Sequence, residues 1–452
     1  MSRPPLAAII LAAGKGTRMR SDLHKVLHPI AGRPMLGHLL GAVDELSPAA
    51  RVVVVGSGRD QVERLAAPLG VGLAVQEPQL GTAHAVQQAG GFLSAFAGDV
   101  IILYGDVPLV RAETMARMLD RLNEADAPAV VVLGFRPADT LAYGRIAETG
   151  GLIDTMVEHK DATAEERALG LCNSGLMAVR SADLWRLLDK VGNANAAGEY
   201  YLPDIVMLAA AEGRRSAVIE AEPWEVAGIN SRAELAEVEA AWQQRRRAAA
   251  MAEGATLIAP DTVWFAHDTR IGRDVTVEPN VFFGPGAVVA DGVTIRAFSH
   301  IEGATIAAGA EIGPYARLRP GAEIGAKAKV GNFVEVKQAR LGAGAKANHL
   351  SYIGDADIGA GANIGAGTIT CNYDGFFKYR TVVGANAFIG SNSALVAPVS
   401  VGEGAIVGAG TVLTRGVAAG ALAIVRAPQQ DKDGWATRFR ERMAAKKAAA
   451  KT

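Results

Sequence analysis

Four groups of residues in this 452-residue chain have the types and spacing to do chemistry. The first is Gly14-Lys15-Gly16-Thr17-Arg18-Met19, directly after an apolar run. Its glycines let a backbone approach a phosphate closely, its N–H groups supply donors, and Lys15 and Arg18 supply charge. By itself the loop is equally a plain glycine turn. Met19 stands where the dinucleotide fingerprint has its third glycine, and no Gly-Lys-Ser/Thr closes a P-loop. Lys25 adds a third cation close by. Asp106, in Tyr104-Gly105-Asp106-Val107-Pro108, follows another apolar run. A carboxylate there suits magnesium, which takes one or two protein oxygens and completes its octahedron with phosphates and water; a turn or cap role is the competing reading. The fourth is His349, in Asn348-His349-Leu350-Ser351-Tyr352. Acyl transfer to an amine requires a base that receives a proton near neutral pH, although a single histidine also serves structural ends.

The elements that must position these groups are of two kinds. Residues 6–13, 52–55, 100–103 and 130–133 are apolar runs of buried strands, alternating with helical patterns at 83–89 and 112–122. This predicts a doubly wound, Rossmann-like α/β sheet, whose ligands bind at the carboxyl ends of the strands. Gly14 and Asp106 fall at such ends. In the second half, aliphatic residues recur every six positions: Ile271, Val277, Phe283, Val289, Ile295, Ile301; then Ile306, Ile312, Leu318, Ile324, Val330, Val336; then Val383, Ile389, Leu395, Val401, Val407, Leu413. Small corner residues (Ala310, Ala316, Ala322, Ala328) follow four places later. Six-residue periodicity marks a parallel β-helix of hexapeptide repeats. Stacking uses its core positions, so breaks in the period, at 341–352 and 370–380, are where chemistry is expected.

Between the two lies Ser231 with Glu234, a capping-box pattern, followed by Leu235, Val238 and Trp242 at helical spacing. A helix over 231–251 would be about 30 Å long. The expected division is therefore 1–230, a linker helix within 231–254, and a β-helix with its tail over 255–452. Arg245-Arg246-Arg247 reads as solvated charge near a helix C-terminus. After Pro428, Trp435, Phe439 and Met443 form a short amphipathic stripe in a tail expected to fray.

Composition narrows the classes. Lys plus Arg is 46 against 47 for Asp plus Glu, so no global field recruits nucleic acid, and anionic ligands need local clusters. Cys172 and Cys371 are the only cysteines, on opposite sides of the expected boundary, which points to a reducing compartment and a cytoplasmic enzyme. No apolar stretch is long enough for membrane insertion. Arg3 and the run at 6–13 superficially mimic a signal peptide, but cleavage would sever the glycine loop from its strand.

Taken together, Leu11-Ala12-Ala13-Gly14-Lys15-Gly16-Thr17-Arg18-Met19, Lys25-Val26-Leu27, Gln76 with Gly81-Thr82-Ala83, Tyr104-Gly105-Asp106, Tyr143-Gly144-Arg145 and Val157-Glu158-His159-Lys160-Asp161-Ala162 resemble the sugar-1-phosphate nucleotidyltransferases. With Asn348-His349-Leu350-Ser351-Tyr352 and Asn363-Ile364-Gly365-Ala366-Gly367-Thr368-Ile369-Thr370-Cys371-Asn372-Tyr373-Asp374-Gly375, the chain resembles the bacterial bifunctional N-acetylglucosamine-1-phosphate uridylyltransferase and glucosamine-1-phosphate acetyltransferase family over residues 6–426.

The resemblance implies acetyl transfer from acetyl-CoA to glucosamine 1-phosphate, then uridylyl transfer from UTP to N-acetylglucosamine 1-phosphate, supplying peptidoglycan and lipopolysaccharide precursor. It implies that Leu11, Ala12, Ala13, Gly14, Gln76, Gly81, Thr82, Tyr104 and Gly105 hold the nucleotide. Gly144, Glu158 and Asn173 would hold sugar and ribose, Lys25 and Arg18 the transferring phosphates, and Asp106 with Asn230 magnesium. In the second site His349 would be the base, oriented by Glu335. Arg317, Lys337, Tyr352, Asn363 and Lys378 would bind the sugar phosphate, and Ala366, Asn372, Tyr373, Ser391, Ala409 and Arg426 acetyl-CoA. A left-handed β-helix and a homotrimer with acetyl-transfer sites between subunits are implied likewise. Two positions depart from the family pattern: His24 replaces the proline before Lys25, which would loosen that loop, and Pro203 replaces a threonine. The rival readings are a monofunctional nucleotidyltransferase with a structural or regulatory β-helix, and a solenoid scaffold with a vestigial nucleotide-binding domain.

Overall fold

The computed structural model describes residues 3–450 apart from 15, 57 and 141. It divides into two compact units, 1–249 with 265–267, and 250–264 with 268–452.

In the first unit the central sheet contains β1 (Leu6–Ala12), β2 (Ala50–Val55), β3 (Gly72–Val75), β4 (Asp99–Tyr104), β5 (Val130–Phe135), β6 (Arg145–Thr149), β7 (Leu152–Val157), β8 (Cys172–Arg180) and β9 (Ala217–Glu220). Their spatial order is β3-β2-β1-β4-β8-β5-β9-β7-β6. β1 lies parallel between β2 and β4, while β8 runs antiparallel to both β4 and β5, so the sheet is mixed beyond its doubly wound half. The apolar runs mark the strands because both faces are covered. Ala8, Ile10 and Ala12 of β1 enter one core, and Ala7, Ile9 and Leu11 enter the core on the opposite face. The expected helices are Thr82–Gln88 and Ala112–Leu122.

The capping pattern at Ser231 works with one change. Ser231 Oγ accepts the Glu234 N–H at 3.3 Å, but the Glu234 carboxylate reaches past Ser231 to accept the Asn230 N–H at 2.6 Å. The resulting helix, Arg232–Ala252, is packed rather than a free linker. Val238, with Leu235 and Trp242 beside it, covers Met19, Ile30, Met35 and Ile229. The arginine run is solvated only in part: Arg245 is exposed, Arg246 half-buried. Arg247 is buried, and the Arg245 guanidinium lies 3.5 Å over the Trp224 ring. Phe265–His267 returns to this unit, where buried Gln243 bonds the Phe265 backbone through both amide atoms at 2.7 and 2.9 Å.

Three histidines of this unit are held neutral by burial. His38, whose Nε2 donates to Ile30 O at 2.8 Å, is pulled down to about 4, chiefly by desolvation, and His24 and His28 move the same way. Below pH 6.5 the unfolded chain gains a proton at His38 that the folded chain refuses until about pH 4. Stability therefore falls across that window, by roughly 3 kcal/mol for His38 at most. Replacing His38 with Gln, which keeps a donor for Ile30 O, should flatten the pH dependence of urea midpoints between pH 7 and 5. Identical slopes in wild type and variant would contradict this.

The second unit is a triangular parallel β-helix whose three faces contain ten, nine and eight strands among the described residues. Successive members of each six-residue run step from face to face, and each face stacks its inward residues in columns. One column is Val277, Ile295, Ile312, Val330, Ala347, Ile364, Ile389, Val407. This corrects one expectation. Residues 341–352 do not leave the coil, since Ala347 merely takes an inward place that other coils give to larger residues. Residues 372–380 do leave it, as a loop tied by Asp374, whose carboxylate accepts from Phe376 N, Phe377 N and Tyr379 Oη. The tail forms a helix, Trp435–Ala449, with no buried residue, its Trp435 and Phe439 rings stacked at 5.1 Å.

Candidate active sites

In the first unit the glycine loop leaves β1 and makes one 3-10 turn, Thr17–Met19, pinned by buried Met19 while Arg18 stays exposed. Lys15 lies outside the described residues. Gly16 has φ +60°, and a Cβ there would sit 2.7 Å from Lys25 Cβ, so the loop packs directly against Lys25. From that position Lys25 Nζ donates to Asp106 Oδ2 at 2.5 Å and to Asn230 Oδ1 at 2.7 Å. Asp106 is carried by the end of β4, and Asn230 by the N-terminal cap of helix Arg232–Ala252. Their two oxygens thus converge on one cationic point. An oxygen-only pair with a single carboxylate suits magnesium, and no cluster of three or more His, Cys, Asp or Glu able to hold a metal exists among the described residues.

His24 does not loosen this loop. Its backbone N–H, which proline would lack, donates to Gln61 Oε1 at 2.8 Å, and Gln61 Nε2 donates to Asp22 O at 2.8 Å. Pro203 is accommodated before helix Asp204–Ala211, where the Leu202 N–H donates to Thr82 Oγ1 at 2.9 Å.

A cavity of 320 Å³ adjoins this cluster, lined by Leu11, Ala13, Gly14, Gln76, Gly81, Thr82, Tyr104 and Asp106. Gln76 Nε2 donates to Gly81 O at 2.8 Å. Gly81 is required: its φ is +121° and a Cβ would meet the Tyr200 backbone at 2.5 Å. Burial pushes the Tyr104 phenol up, so it remains a neutral hydrogen-bonding group, and Gly105 N donates to Leu11 O at 2.9 Å. Gln79 and Glu199 also line the cavity and escaped the sequence reading, because neither sits in a glycine or strand-end motif.

Across the sheet, Gly144, Glu158 and Asn173 come together. A Cβ on Gly144 would lie 3.4 Å from Glu158 Oε1 and 3.6 Å from Asn173 Cβ. Fully buried Arg145 fixes the loop behind Gly144 by donating to Thr140 Oγ1 at 2.8 Å and Arg167 O at 3.2 Å. Burial, reinforced by Asp204 and Asp161, holds the Glu158 carboxyl above the ordinary carboxylate range.

The β-helix assembles its groups by register. Arg317, Glu335 and Tyr352 occupy one column, and one step beyond Leu318 and Val336 the same register aligns Arg319 with Lys337. Glu335 is not the partner of His349. It takes Arg317 at 3.3 Å and Arg319 at 2.8 Å, while His349 Nδ1 lies 2.7 Å from Asn332 Oδ1. Lys337 approaches Asp355 at 3.5 Å, and the direct contact of Lys337 with Lys378, together with its charge, holds the Lys378 ammonium below the ordinary lysine range. Asn372 Nδ2 bonds Asp355 and, at 3.4 Å, Tyr352 Oη. Arg319, Lys337 and Lys378 therefore form a local cluster of cations, with the Glu335 and Asp355 carboxylates among them. Arg319 was missed because an arginine two residues from Arg317 carries no separate signal until the register is known.

Asn363 stands apart, in the column of Lys346 and Phe388. The pairing of Ala347, Ile364, Ile389 and Val407 sets His349, Ala366, Ser391 and Ala409 in one further column, two residues on. Arg426 ends it, donating to Ala409 O at 3.2 Å. Tyr373 lies in the extruded loop, its Oη donating to Gly375 O at 2.6 Å.

Residues 8–255 match the MobA-like NTP transferase domain family, 268–303 the bacterial transferase hexapeptide repeats, and 380–415 the hexapeptide repeat of succinyl-transferase. The chain is 72% identical over 452 residues, all of both chains, to the Bifunctional protein GlmU of Rhizorhabdus wittichii. It is 67% identical to that of Sphingopyxis alaskensis over 98% of each chain, and 60% identical to that of Zymomonas mobilis over 97% of this chain and 98% of the relative. The chain belongs to the GlmU family. As a GlmU enzyme it is a bifunctional transferase, with a nucleotidyltransferase domain for uridylyl transfer and a left-handed β-helix of hexapeptide repeats for acetyl transfer in UDP-N-acetylglucosamine synthesis. GlmU membership removes the scaffold and monofunctional alternatives. No helix among the described residues is long and apolar enough to cross a membrane.

Proposed function

We propose that the convergence of Lys25, Asp106 and Asn230 is the centre of uridylyl transfer, and that the His349 column with the Arg319–Lys337–Lys378 cluster is the centre of acetyl transfer. In the first, the phosphate oxygen of N-acetylglucosamine 1-phosphate attacks the α-phosphorus of UTP and pyrophosphate leaves. Lys25 and Arg18 neutralise and align the phosphates, and the 320 Å³ cavity seats the nucleotide. Gly144, Glu158 and Asn173 seat the sugar and ribose. Asp106 and Asn230 would hold a magnesium ion, which supplies further charge neutralisation at the phosphates when bound.

In the second, the amine of glucosamine 1-phosphate attacks the thioester carbonyl, His349 takes the proton, and CoA leaves as the thiolate. Lys337, Arg319 and Lys378, with Tyr352, bind the phosphate; Arg317, in the column of Tyr352, and Asn363, from its separate column, are assigned to the sugar phosphate by their motifs alone. Asn372, Tyr373, Ala366, Ser391, Ala409 and Arg426 carry acetyl-CoA. The support for this is the column itself, which leads along small residues to His349. We further propose a cytoplasmic homotrimer assembled through the β-helix. Paired assays test the assignments: CoA release with glucosamine 1-phosphate, and pyrophosphate release with UTP and N-acetylglucosamine 1-phosphate.

A chain ending at Met251 should keep uridylyl transfer and no longer trimerise, because the sheet has its own two cores. It should also melt lower than the first unit of the full chain, since the cut removes Phe265 from Gln243, a loss of about 1–3 kcal/mol for a buried amide. Light scattering that still showed a trimer would displace the β-helix as the assembly element.

A further inference from the structure

The reading of His349 as the base leaves open what prepares its imidazole, since Glu335 is occupied by Arg317 and Arg319. A neutral imidazole accepts a proton at one nitrogen only if its own proton sits on the other. The geometry around His349 decides which.

Asn332 and His349 are register partners on strands Lys329–Asn332 and Lys346–His349 of successive coils. Both strands turn at the next residue through a left-handed backbone, Phe333 at φ +56° and Leu350 at φ +52°. The two side chains therefore leave equivalent corners one coil apart and meet, Nδ1 to Oδ1, at 2.7 Å. The backbone of His349 is fixed as well, its carbonyl accepting from Ser351 Oγ at 2.9 Å and from Gly367 N at 3.2 Å. On the opposite side of His349 in the same column stands Ala366, too small to compete for the ring.

We infer that Asn332 is the positioning residue of the acetyl-transfer site: its amide oxygen accepts the Nδ1 proton of His349, fixes the ring, and leaves Nε2 as the unprotonated nitrogen that receives the proton of the attacking amine. This rests on His349 being the base. An amide does this without the charge of a carboxylate, so it selects the tautomer while adding little preference for the imidazolium. The charged or titratable side chains on the strands packed around the pair are Lys329, which bonds Glu311 at 2.6 Å, Lys346, Glu335, Lys337 and Tyr352. A carboxylate introduced at 332 would be the new charge beside the ring.

The test compares Asn332→Ala, Asn332→Asp and His349→Ala in the full-length enzyme, with CoA release measured from pH 5.5 to 9 and, because the mutated coils belong to the second compact unit, acetyl-CoA affinity by calorimetry and the circular-dichroism melt as the checks on folding. Asn332→Ala should lower kcat by roughly ten- to a hundredfold, less than loss of the base itself, with KM for both substrates within about twofold. Asn332→Asp, an obligate acceptor, should recover most of that loss and shift the acidic limb of the profile to higher pH. Wild-type kcat and pH profile for Asn332→Ala, alongside an inactive His349→Ala, would overturn the inference while sparing the base. An Asn332→Asp variant as slow as Asn332→Ala would also overturn it, because the amide would then be donating through its nitrogen. Wild-type activity of His349→Ala would instead remove the reading on which the inference stands.

Discussion

Asp106→Ala should lower uridylyl transfer by roughly 10³-fold, the rate equivalent of the several kcal/mol that a bound metal contributes at a transferring phosphoryl group. The substitution removes the one carboxylate at the point where Lys25 Nζ, Asp106 Oδ2 and Asn230 Oδ1 meet, and leaves Lys25 held by Asn230 alone at 2.7 Å. The backbone is not expected to move, because the Asp106 carbonyl, which accepts the Ile229 N–H at 3.0 Å, is untouched. Acetyl transfer should remain near wild type, since Asp106 belongs to the first compact unit and the hexapeptide coils to the second. Pyrophosphate release measured across a magnesium titration checks both statements. Full activity of the variant at ordinary magnesium concentrations would show that Asp106 is not a ligand.

Loss of His349 has the second large effect. His349→Ala should lower acetyl transfer by roughly 10²–10⁴, the range for a positioned general base, and the loss should fall on turnover. The column of Ala366, Ser391 and Ala409, capped by Arg426 and proposed to carry acetyl-CoA, is held by backbone bonds that do not involve the imidazole, so calorimetry should find similar acetyl-CoA affinity. The acidic limb of the wild-type pH profile should vanish from the residual activity. Turnover equal to wild type would return His349 to a structural role.

Much of the fold was legible locally. Unbroken apolar runs, in place of the alternation of a half-buried strand, located β1, β2, β4 and β5, because both faces of that sheet are covered. The six-residue period located the solenoid because each coil has three short strands and each strand needs one inward residue. The period failed at 341–352 for an equally physical reason: Ala347 occupies an inward place without the bulk that makes such places visible. The Arg245–Arg247 run misled in the opposite direction. Arg247 is buried and Arg246 partly so, while Arg245 stays exposed with its guanidinium over a ring, so charge in the sequence did not mean solvation for the whole run.

The sequence by itself determined the class of each domain, the strand ends that bear the glycine loop and Asp106, and, through long motifs, the family. Those are properties of local pattern, in which periodicity and turn chemistry act over a few residues. Tertiary structure alone decided which candidates meet. Lys25 joins Asp106 across 81 residues and Asn230 across 205. His349 takes Asn332 rather than Glu335, and Arg319 joins Lys337, because the stacking of coils sets which outward side chains share a column. Register in a parallel β-helix is fixed by the inward residues, whose close packing tolerates no slip. The outward residues that carry the chemistry inherit an alignment they do not themselves encode.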